Sequence, residues 1–130
     1  MARKQYHHGD LRGALLDAAE ALVRERGDTG WSLREASARV GVSPSAAYHH
    51  FASRDALVRA LSEHVLAQLG TRMSAAAAEA VDGEVGELRG IIAAGCAYVR
   101  WVMEAPAVAK LAFGLGARDH DVACHRTRMT

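Results

Sequence analysis

Residues 32–51 read SLREASARVGVSPSAAYHHF, and the spacing within this stretch decides the fold. Ser32 followed by Glu35 predicts a capping box, in which the hydroxyl accepts from an amide three residues on and the carboxylate reaches back. Leu33, Ala36 and Val40 share one face of the helix that follows, with Ser37 small enough to lie beside them. Gly41 stands just past its end, where a left-handed residue stops a helix at little cost. Val42 points back to the core. Ser43 and Pro44 restart the chain with a hydroxyl cap and a proline at the first helical position. The second helix, Pro44 to His50, is barely two turns long.

Two short helices across a glycine turn make the helix-turn-helix pattern, whose second helix enters the major groove of DNA. Tyr48, His49 and His50 offer donors and rings there, while Ser45 and Ala46 let the backbone approach. Between Leu33 and Asp55 the only acid is Glu35, against Arg34, Arg39 and Arg54. A surface that meets phosphate has that balance. A plain helical hairpin with a solvated face would satisfy the composition equally well. The caps on both helices, the placed glycine and the shortage of acid favour DNA.

Gly41-Val42-Ser43, Tyr48, His50-Phe51 and Arg54 carry a resemblance. With SRDAL after Phe51, they are similar to the DNA-binding head of tetracycline-repressor-type (TetR family) transcriptional regulators. The likeness covers about residues 8–70. Ala47 departs from it, since family members often carry leucine there, and Leu57 is placed to close over the smaller side chain. The resemblance implies an all-α protein: an N-terminal three-helix helix-turn-helix head, a long linking helix and a partial helical C-terminal body. It implies a homodimer on a palindromic duplex operator. It also implies an unknown small-molecule effector that binds the body, shifts the linking helix and releases a repressor from DNA. Such coupling requires different effector affinities for the two head spacings.

Site roles follow from the reader and this resemblance together. Ser43 and Pro44 aim the second helix, whose N-terminus meets a phosphate. Ser45, Ala46 and His49 face base edges; Tyr48, His50 and Arg54 hold the backbone; Arg34 contacts phosphate or a guanine edge. No Ser/His/Asp arrangement, paired carboxylates or glycine-rich phosphate loop suggests an enzyme. The expectation is a DNA-binding regulator with no catalytic residue, cofactor or metal. A small helical ligand-binding or protein-interaction module without DNA reading is the alternative.

Outward from the reader, residues 1–9 form a flexible basic arm with Arg3 and Lys4, followed by a head over 10–70. Asp10 to Arg26 predicts an amphipathic helix on Leu11, Leu15, Ala18 and Leu22, stopped by Gly27. Trp31 packs against it. Ser53 caps a long helix carrying Leu57, Leu61, Val65 and Leu69, with an alanine run at Ala75–Ala78 to extend it. A partial ligand-binding and dimerisation body occupies 71–114. Its helix, Glu84 to Met103, is expected to bury Val85, Leu88, Ile92, Gly95 or Cys96, Val99, and Val102 or Met103, flanked by Tyr98 and Trp101. Pro106 opens a short sixth helix to Phe113. Residues 115–130 lose periodicity and are expected to be a disordered tail. Family members of this type usually place dimer-forming helices beyond that point, so dimerisation is expected to be weakened and part of the body's apolar stripe left uncovered.

Bulk properties agree without adding identity. The 130 residues carry a net charge of +1, with half of them apolar and 5% aromatic, a composition suited to helices. Residues 1–72 hold ten Lys/Arg and eight Asp/Glu, a mild basic excess. Cys96 and Cys124 match no metal spacing. The N-terminus MARKQYHHGD has no apolar run, and no stretch nears the 18 or so residues of a membrane span. A cytoplasmic location without membrane is expected.

Overall fold

The computed structural model describes residues 10–80 and 85–114. The arm with Arg3, Lys4, His7 and His8, the break at 81–84, and the tail with Cys124 lie outside the described residues. Every regular element described is a helix: α1 Leu11–Arg26, α2 Leu33–Val40, α3 Pro44–His50, α4 Arg54–Ala80, α5 Gly86–Glu104 and α6 Pro106–Gly114. The all-α expectation holds.

Local chemistry sets most boundaries. Asp10 precedes α1 but makes no side-chain cap bond. Its carboxylate instead lies over Gly13, where a Cβ would collide with it. Ser32 Oγ accepts from the Glu35 amide at 3.2 Å, and Ser43 Oγ accepts from the Ala46 amide at 3.2 Å. The reciprocal half of the expected capping box does not form, because the Glu35 carboxylate pairs with Arg26 at 2.5 Å. An ion pair with a neighbouring helix end outcompetes a second local bond. Gly41 ends α2 at φ 86°, and the Gly41 and Val42 amides both donate to Ser37 O at 3.0 Å.

α1 packs against α2, α3 and the first half of α4, and α2 packs against α3. Leu15, Leu22, Val23, Leu57, Leu61 and Val65 are the largest aliphatic side chains sealed there, joined by Leu33, Ala36 and Ala47. Each fully buried leucine contributes about 1.5–3 kcal/mol of burial free energy. Ala47 and Leu57 are both wholly buried in one cluster, so the small residue at 47 leaves no exposed gap. Ser62 is buried on α4, and its hydroxyl donates to Val58 O at 3.0 Å. α4 starts at the Ser53 cap, where the Ala56 amide donates at 3.1 Å, and passes through Gly70 to Ala80.

The body corrects the expectation for α5. Val85, Leu88, Ile92, Val99 and Met103 face outward, as does Cys96. Gly86, Gly90 and Trp101 are the buried residues of α5 instead. Gly86 and Gly90 lie four apart on the buried side of α5, the helix that packs along α4. The large apolar side chains are left on the opposite side. Trp101 joins Ala105, Val108, Leu111 and Ala112 in the core, and Phe113 meets the Trp101 and Tyr98 rings edge-on at 6.3 and 6.2 Å. The chain bends by 105° between α5 and α6, and no single described helix is long and apolar enough to cross a membrane.

Candidate nucleic-acid interface

α3 stands at the surface of the head, anchored from beneath. Ala47 is its buried residue, and Phe51 at its end is also buried. With these two fixed, Ser45, Tyr48, His49 and His50 are exposed on the outer side, Tyr48 to 53%. Leaving a tyrosine ring in water on a seven-residue helix gives the head no packing benefit. Its phenol and the adjacent imidazoles form a donor-rich surface suited to a polar partner. Arg34 is exposed on α2, and the Ser43 hydroxyl is engaged in capping α3. Pro44 is half-buried at the first turn. Ala46 packs partly against the core, so its contribution to a base-facing surface is smaller than the sequence suggests.

The two other arginines of this segment point elsewhere. Arg39 donates to both carboxylate oxygens of Glu25 on α1. That hydrogen bond, ahead of simple charge attraction, holds the Glu25 carboxyl below its ordinary value and raises Arg39 above its own. Both groups are solvent-exposed, so the pair orients α2 on α1 more than it stabilises either. Arg54 is turned inward. Its Nε donates to Trp31 O at 3.0 Å, a terminal nitrogen donates to Asp28 O, and its guanidinium lies 4.2 Å from the centre of the Trp31 ring. Two of its three nitrogens thus serve backbone carbonyls, an inward task beside the phosphate contact expected of it.

Arg12 is a residue the sequence alone did not single out. It is exposed on the first turn of α1, with its guanidinium 5.2 Å from the centre of the Phe51 ring. This cation–π contact sets a positive charge beside the C-terminal end of α3. A separation of 39 positions hides the pairing from any local motif, and only the tertiary fold brings the two together. The sole acid between Leu33 and Asp55, Glu35, is neutralised by Arg26. Arg12 and Arg34 are both exposed, as are Ser45, Tyr48, His49 and His50 of α3.

Among the described residues, no cluster of three or more His, Cys, Asp or Glu side chains is arranged to hold a metal. Asp119, His120, Asp121, Cys124 and His125 lie outside the described residues.

Comparison with known proteins shows what this head is similar to. Residues 15–61 match the family model of bacterial regulatory proteins of the tetR family. The HTH-type transcriptional regulator BetI of Brucella canis is 35% identical over 69 residues, 53% of this chain and 35% of BetI. An HTH-type transcriptional regulator of Mycobacterium bovis is 35% identical over 65 residues, 50% of this chain and 32% of that protein. The matched segment thus spans about a third of the curated relatives' length. A crystal structure from Pseudomonas aeruginosa PAO1, of a protein proposed to regulate transcription, superimposes with a TM-score of 0.56. It covers 88% of this chain and 63% of that one at 21% identity, a likeness of fold.

Proposed function

With a tetR-family head at residues 15–61 as the premise, we propose that the chain is a sequence-specific, duplex-DNA-binding transcriptional regulator rather than a catalyst. The observation that carries this reading is α3 itself. A helix anchored by Ala47 and Phe51 presents Ser45, Tyr48 and His49 outward, and the one acid between Leu33 and Asp55, Glu35, is held by Arg26. His49 and Ser45 read base edges in the major groove, Tyr48 and His50 meet the sugar-phosphate backbone, and Arg34 and Arg12 supply positive charge at the flanks. Ser43 and Pro44 fix the entry angle of α3.

The finer roles are part of the same reading. Two copies bind a palindrome, one head per half-site. A small molecule taken up by the helical body displaces α4 and lowers the affinity of the pair for DNA, which makes the chain a repressor acting in the cytoplasm. The head spans 10–70 and the body 71–114. A rival reading, a helical interaction module, draws on the outward apolar side of α5.

Selection of duplexes from a random pool by the full chain tests the proposal. The expected product is an inverted repeat whose half-sites lie about one helical turn, or a multiple of it, apart. His49→Ala should change the preferred bases while retaining duplex binding. Recovery of no enriched sequence, with wild type and variant indistinguishable, would leave the interaction module as the better account.

A further inference from the structure

The turn between α1 and α2 is held almost wholly by side chains. Gly27 and Gly30 adopt φ 81° and 83°, a path that leaves its carbonyls outside any helix. Four of them nonetheless have donors. Trp31 Nε1 donates to Gly27 O at 3.1 Å, and Arg26 donates to Gly30 O at 3.2 Å. Arg54 serves the other two, Asp28 O and Trp31 O, while stacking on the Trp31 ring. Trp31 is only 5% exposed, so the ring on which the guanidinium rests is fixed by the core.

Arg54 is the first residue of α4, the helix that runs from the head into the body. Its partners lie immediately before Ser32, the cap from which α2 starts, and α3 follows α2 across Gly41. We propose that Arg54 is a positioning residue for DNA reading: it clamps the start of α4 to the turn that aims α2 and α3. This rests on the DNA-binding reading above. The clamp uses three properties of guanidinium together, namely two divergent donors, a flat face for stacking and a permanent charge. Lysine keeps the charge, but its donors share one nitrogen and it has no flat face. Any displacement of the start of α4 pulls on the Asp28 and Trp31 carbonyls and hence on the base of the reader.

A phosphate ligand and a clamp behave differently in salt. Losing a phosphate ligand lowers the slope of log affinity against log salt by roughly one and weakens all duplexes alike. Losing a clamp leaves the slope and disorders the aim, so the selected duplex suffers more than random duplex. The test measures affinity for both duplexes across a salt series, using the full chain as wild type, Arg54→Lys and Arg54→Ala. Circular dichroism melting confirms that each is folded. The expected result is that Arg54→Lys fails to rescue. It should lose roughly tenfold or more in preference for the selected over the random duplex, the scale of a lost charge-assisted hydrogen bond, at an unchanged slope. Trp31→Phe keeps a ring under Arg54 and should retain most of that preference, which keeps the question open to measurement should Arg54→Ala not fold. Full preference in Arg54→Lys, with the slope falling by about one in Arg54→Ala, would overturn the clamp. A wild-type chain that retains no duplex at low salt would instead refute DNA reading itself.

Discussion

Gly41 is the residue on which the reader turns. At φ 86° it occupies a conformation that costs an L-residue roughly 1–2 kcal/mol, and no neighbour lies within 4 Å of a Cβ built there. Gly41→Ala should therefore destabilise the head by about that amount through backbone strain alone, without a steric clash. A lower denaturant midpoint at constant slope would register it; an unchanged midpoint would mean that the turn relaxes. This glycine, like the Ser32 and Ser43 caps, was legible in the sequence because its chemistry is settled within four residues. Arg26, Arg39 and Arg54 were not. Each pairs with a group nine or more positions away, and from the sequence alone all three resemble the free charges of a phosphate surface. Arg34, which keeps its exposure, cannot be told from them by type or spacing.

At the scale of the element, α4 is the piece that joins reader to body. Leu57, Leu61, Val65 and Leu69 recur every fourth residue, and the structure buries all four. Its length was also legible, since the alanine run favours helix strongly enough to carry the chain past Gly70. Gly70 is exposed, lies mid-helix and has open space where a Cβ would be. Gly70→Ala should then raise stability by about 0.5–1 kcal/mol, seen as a higher melting temperature. A loss of stability would place a hidden constraint at that turn. α5 shows the limit of periodicity. An apolar stripe was visible from Val85 to Met103, but a stripe does not say what covers it. The deciding signal was the pair Gly86 and Gly90, four apart on the side that is buried.

Across the whole molecule the two ends differ in how they are finished. The head seals its core among four helices and exposes one large ring, Tyr48, on the reading face. The body exposes Leu88, Ile91, Ile92, Val99 and Met103 along one helix, Ile91 to 70% and Met103 to 77%. Contiguous apolar surface of this kind promotes association in water. Sedimentation at micromolar concentration should show concentration-dependent association, and Ile92→Glu should reduce it while leaving head stability unchanged. Equal sedimentation of the two chains would remove this face from the account of dimer formation.

The central claim is that α3 reads duplex DNA, and affinity for the selected duplex across a salt series tests it most directly, with Tyr48→Ala beside the wild type. The account predicts log affinity falling linearly with log salt, as phosphate contact requires, and Tyr48→Ala weaker by roughly 1–3 kcal/mol on selected and random duplexes alike. Tyr48 is exposed and outside the core, so the variant should melt as the wild type does. Binding that ignores salt, or a Tyr48→Ala chain that binds as tightly as wild type at every salt concentration, would contradict it.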